Sequence, residues 1–145
     1  MPAALLAGLV ALGTLEGCTG YSGSKAHQVA QWASQYSVIS NDQNVLADVR
    51  AIKLSLAADK LKDVTSNCAG LVFDAGTAYQ NLPTPDNTLT NELSAAYQDF
   101  ASAGSSCAAV GSLRSKKIPA ALALISRGLV SLARATRRLG GEGVH

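Results

Sequence analysis

Three stretches of this chain carry apolar residues at alternating steps of three and four. Leu61, Val64, Cys68, Leu71, Ala75, Ala78 and Leu82 mark the first; Leu89, Leu93, Ala96, Phe100, Ala103, Cys107 and Val110 the second. Ile118, Leu122, Ile125, Leu129, Leu132, Thr136 and Leu139 mark the third. That rhythm belongs to helices packed along shallow-angle seams. A strand would alternate every second residue, and no segment sustains that, so the expected class is all-α without a sheet. An earlier segment, about 25–59, shows the same spacing at Val29, Trp32, Tyr36 and Ile39. It continues on a slightly rotated stripe at Val45, Val49, Ile52 and Leu56. Ser40–Asn44 is polar throughout, and Ser40 and Gln43 have capping-box spacing, so two helices could meet there. The preferred reading is one long helix with a solvent-facing polar turn.

The connections fit an up-down four-helix bundle over residues 25–140, with helices near 25–59, 60–82, 87–110 and 118–139. Leu82-Pro83-Thr84-Pro85-Asp86 forbids helix, and Asp86 suits the N-cap of the helix that follows. Gly111 and Gly140 stand where C-terminal caps belong. Arg134, Arg137 and Arg138 fall in the last turns of the fourth helix, where cations oppose the dipole. Short links between helices of similar length make neighbours antiparallel. Residues 141–145 read as a disordered tail. With 48% hydrophobic and 5% aromatic residues, the core must be built from Ala, Leu, Val and Ile. The length of 145 residues suits one domain. A net charge of +2 lacks the concentrated basic stripe that nucleic acid requires, so no nucleic-acid partner is expected.

The apolar run from Ala3 to Leu15 is too short to span a bilayer and has the length of a signal-peptide core. It ends in Leu15-Glu16-Gly17-Cys18, which resembles the lipobox of bacterial lipoproteins, although Glu16 departs from the usual pattern. The resemblance implies a signal peptide over 1–17 and a diacylglyceryl group on Cys18. It implies a lipid anchor on the extracytoplasmic face of the membrane; a plain secreted form is the alternative. Residues 18–24 are rich in Gly and Ser and read as a flexible tether. With Cys18 lipidated, Cys68 and Cys107 remain, both on apolar stripes of consecutive helices. In an oxidising compartment they are expected to pair, closing a loop that adds about 4 kcal/mol. The alternative is two buried free thiols. Cys107 lies further from the proline turn than Cys68, so the turn must rise above the second helix for the sulfurs to meet.

Trp32, the Leu46-Ala47-Asp48-Val49 stretch, Cys68 with Leu71, Pro83-Thr84-Pro85-Asp86 and Cys107 together resemble small helical lipoproteins and secreted proteins of high-GC Gram-positive bacteria. The resemblance covers about residues 32–139. It implies the fold and the address, and no chemistry.

Motifs for catalysis are missing. His27 and His145 have no helical partner, and neither Glu-x-x-His nor Cys-x-x-Cys-His occurs, so no metal or cofactor is expected. Neither a nucleophile elbow nor a phosphate loop is present. Asp42 continues the Val38, Val45, Val49 stripe, yet the polar stretch around it argues for water. Trp32 and Tyr36 with Asp42 and Asp48 could line an inter-helix cleft, although core packing explains the aromatics. Arg114, Lys116 and Lys117 cluster before the last helix, and Arg127, Arg134 and Arg138 share a face of it. That surface could contact anionic head groups or an anionic polymer. The expected function is a non-catalytic, lipid-anchored binding or scaffolding module of the cell envelope, whose partner is an envelope protein or anionic polymer. The alternative is a small-ligand receptor or enzyme using the cleft.

Overall fold

The computed structural model describes residues 20–144; the segment expected to be a signal peptide, Cys18 and His145 lie outside the described residues. Five helices occur: α1 Lys25–Gln35, α2 Val38–Ala57, α3 Leu61–Tyr79, α4 Asn87–Ala108 and α5 Lys117–Gly141. No strand occurs among the described residues.

The expected count of four becomes five because the first segment divides. It divides at Ser37, whose φ is 51°, and not within Ser40–Asn44, which lies inside α2. The Asn41 side-chain amide donates to Tyr36 O at 3.0 Å, capping the end of α1.

Side-chain contacts fix the directions. Ser55 meets Asn67, and Asp48 meets Gly70, so α2 and α3 are antiparallel. Cys68 bonds Cys107 and Gln98 reaches Tyr79, which sets α3 against α4. Arg127 meets Asp99 and Arg138 meets Glu92, which sets α4 against α5. Neighbours α2 to α5 thus alternate in direction around one core that includes Ile52, Leu71, Phe100 and Ile125.

The disulfide fixes the register of the middle pair, with Cα atoms 5.8 Å apart. Counting from the cysteines at 1.5 Å per residue, α4 begins about 13 Å beyond the end of α3. The proline link climbs that step. It is held by Thr84, whose hydroxyl donates to Asp86 O and accepts from Asp86 N–H. The step leaves the first turns of α4 and the last turns of α5 uncovered by α3, and α1 bends at Ser37 to fill the gap. Trp32 is buried there, its indole N–H donating to Asn81 O at 3.0 Å. Lys25 faces Asp86 at 3.9 Å.

The stripe on α5 is rotated from the expected one. Leu122 and Leu129 are only partly buried and Thr136 is exposed, whereas Ala121, Gly128 and Ala135 are buried. Small residues seven apart let α5 approach α4 closely. A β-carbon at Gly128 would stand 2.8 Å from the Phe100 ring.

Capping also differs in detail. Asp86 does cap α4, accepting from Leu89 N–H at 2.8 Å. Gly140 lies inside α5, and Gly143, at φ 79°, ends it. Gly143 N–H donates to Gly140 O and Val144 N–H to Leu139 O, a Schellman closure in which Val144 packs onto the core. Gly111 lies past the Ala109 C-cap of α4. Residues 141–144 are therefore ordered, against the expectation of a disordered tail.

Candidate functional site

The residues proposed for a cleft go to separate places. Trp32 lies in the core with Tyr36 beside it, ring centroids 6.3 Å apart. Asp42 is buried, against the expectation of a solvated side chain, because the stripe it shares with Val38, Val45 and Val49 faces inward. Its Oδ1 accepts a 2.7 Å hydrogen bond from the Tyr97 hydroxyl on α4. Burial pushes the Asp42 carboxyl up to about 6, while the Tyr97 hydrogen bond acts the other way. Burial and the adjacent carboxylate hold the Tyr97 hydroxyl well above the ordinary tyrosine range.

Asp48 points elsewhere, toward α3. Its carboxyl lies over Gly70, where a β-carbon would stand 3.1 Å from Oδ1. Oδ2 is shielded from solvent and has no hydrogen-bond partner. Burial raises this carboxyl to about 6, and the charge of neighbouring Asp74 adds to the effect.

The two carboxyls sit in different settings. Asp42 is buried and its one side-chain partner is a phenol, a contact that pins α2 to α4. Asp48 and Asp74 form a seam contact with no nucleophile or base described beside them. Two surface grooves lie near. One of about 500 Å³ runs between α1, α2 and the chain end, lined by Ala33, Ser34, Ser37, Ser40, Gln43 and Val144 among others. A smaller one of about 180 Å³ between α3 and α4 is lined by Ala75, Gly76, Tyr79, Tyr97, Gln98 and Ala101. The second touches the back of Tyr97.

The six basic residues separate into two sets. Arg127 and Arg138 are engaged: Arg127 Nε donates to Asp99 Oδ2 at 3.1 Å, and Arg138 Nε to Glu92 Oε2 at 3.1 Å. Arg134 borders a groove with Asp99, Arg127 and Val130. Arg114, Lys116 and Lys117 stand at the opposite end of α5, exposed. Lys60 and Lys62, at the start of α3, share that end, and the sequence reading did not include them. The signal was available, since alternating helix directions place the starts of α3 and α5 at the same end of the bundle. Tyr97 and Asp74, the partners of Asp42 and Asp48, were also missed, because cross-helix contacts follow from register and not from spacing.

No family model matches the chain, and neither curated proteins nor solved structures show a significant match to it.

Proposed function

We propose that this chain is a non-catalytic helical binding or scaffolding module, exported and held on the outer face of the cell envelope by a lipid on Cys18. The observation that carries the reading is the Cys68–Cys107 bridge. Disulfides persist in oxidising compartments. The bridge also leaves Cys18, at the end of a leader-like apolar run, as the one cysteine free for modification. The resemblance to small helical lipoproteins of high-GC Gram-positive bacteria supports the same address. The buried Asp42 carboxyl, bonded to Tyr97, favours structure over catalysis at that position, and Phe73 and Leu54, 73% and 72% exposed, offer apolar surface to a partner. Cys18→Ala should release the protein into the medium or leave an unprocessed precursor. Unchanged membrane fractionation would sink the anchor, leaving the secreted form. Cross-linking of the anchored protein followed by pull-down should identify an envelope partner.

A second reading is a receptor for a small ligand. The groove between α1, α2 and the chain end favours it, because its volume of about 500 Å³ suits a small molecule. Saturable binding lost on Ser37→Trp or Gln43→Trp would support this reading.

A further inference from the structure

The segment just before α1 lies against the bundle. Ser24 caps α1, its hydroxyl accepting from His27 N–H at 3.3 Å, and Gly23, at φ 96°, turns the chain back. The Gln28 side-chain amide donates to Gly23 O at 2.9 Å and holds the turn. The reversed segment then follows α1. Tyr21 packs against the core and its hydroxyl donates to Gln35 Oε1 at 3.2 Å. Gly20 and Tyr21 share a groove with Gln31 and Gln35. Burial, and after it the neighbouring Tyr36, raise the Tyr21 hydroxyl above its ordinary range. The expected flexible tether is therefore held from Tyr21 onward. The chain leaves the bundle beside the second half of α1, not at its start.

Covalent geometry carries that point to Cys18. Cys18 precedes Gly20 by two residues, so their Cα atoms stand no more than about 7 Å apart. A lipid on Cys18 brings head groups up to the corner where α1 meets α2.

That corner differs in charge from the other helix surfaces. From residue 26 to residue 47, Asp42 is the one Asp, Glu, Lys or Arg, and it is buried. Gln31, Ser34, Gln35, Tyr36, Ser37 and Ser40 are exposed there. The groove between α1, α2 and the chain end is likewise lined without a charged side chain. Elsewhere charge is exposed, at Arg50 and Lys53 on α2, Lys62 and Asp63 on α3, and Arg134 and Arg137 on α5. An uncharged face escapes two costs at a lipid surface: repulsion of carboxylates by anionic head groups, and loss of hydration by any ion. Tyrosine suits head-group level, with an apolar ring and a polar hydroxyl.

We propose that the α1–α2 corner, with Tyr21 and Tyr36 at its centre, is the face that rests on the lipid surface of the anchoring membrane. The inference rests on the Cys18 anchor proposed above.

The test exposes the full-length protein, in its own membrane, to a photoactivatable phospholipid and maps lipid adducts after tryptic digestion. Residues 26–50 make one tryptic peptide, and 128–134 on α5 make another. Adducts per residue in 26–50 should exceed those in 128–134 by about threefold or more. Tyr21→Ala with Gln35→Ala removes the contact that holds the segment, so the ratio should fall toward parity, with a matched melt verifying the fold. The mass of the Cys18 peptide is read in the same digest. An unmodified Cys18 overturns the anchor and this face together. A lipid on Cys18 with adducts equal in the two peptides, or heavier in 128–134, overturns this face alone. So does a ratio indifferent to the double variant.

Discussion

The Tyr97 hydroxyl donates to Asp42 Oδ1 at 2.7 Å, and both side chains are buried. The contact ties α2 to α4 across the core, since a carboxyl in an apolar seam needs a donor. Tyr97→Phe removes that donor and keeps the ring. We expect it to destabilise the fold by about 1–3 kcal/mol near neutral pH. Urea unfolding of Tyr97→Phe, Asp42→Asn and the double variant measures the coupling. Additive losses would show that the pair does not interact.

Stability should also depend on pH, in a direction set by the carboxyls. Asp42 and Asp48 are raised in the folded protein to about 6, so the folded state holds protons that the unfolded state releases. Their contribution is therefore fully present below about 4 and is lost as pH rises through about 6. Asp86 acts oppositely: the Leu89 N–H holds its carboxylate below the usual range, and that stabilisation disappears in acid. The stability maximum should fall near pH 5. For Asp42 the change between pH 5 and pH 8 is on the order of 1 kcal/mol, because pH 5 lies about one unit below its folded value. Asp42→Asn should flatten this limb; an unchanged slope would show that Asp42 does not titrate there.

Much of the fold could be read from the spacing of apolar residues, because burial in a bundle follows helical period. The stripes on α3 and α4 are the faces that pack, and Cys68 and Cys107 meet as their positions require. What spacing could not carry is axial register. The step between α3 and α4 makes room for α1, and only that step explains why the chain breaks at Ser37 instead of in the polar stretch after it. The rotation of α5 has a different origin. Small residues at Ala121, Gly128 and Ala135 attract little notice in a hydrophobicity pattern, yet close approach depends on them. Asp42 shows the converse: its stripe pointed inward, its polar neighbours pointed outward, and the stripe decided.

Close approach can be tested at Gly104. A β-carbon there would lie 2.7 Å from Cys68 O and 2.8 Å from Val72 Cγ2. The first contact is with backbone, which cannot swing aside. Gly104→Ala improves helix propensity by about 1 kcal/mol, yet overpacking should outweigh that gain and destabilise by about 1–3 kcal/mol. Gly76→Ala is the control, because nothing lies within 4 Å of its added carbon. A thermal melt in which both variants gain stability would show that α3 and α4 are further apart than described.

The disulfide joins packing to compartment. Cys68 and Cys107 are both buried, 39 residues apart in sequence, and link α3 to α4 just below Gly104. In the chain-entropy model a closed loop of that size contributes about 4 kcal/mol, a large share of the 5–15 kcal/mol that holds a typical domain. Reduction should lower the melting temperature clearly. Cys68→Ser should do at least as much, because it leaves Cys107 unpaired and places a hydroxyl in an apolar seam. The remaining stripes are intact, so helix content measured by circular dichroism should survive at low temperature. Mass spectrometry of the protein isolated without reductant checks the bond directly. Both thiols free there, or a melt indifferent to reductant, would remove the main support for an oxidising address.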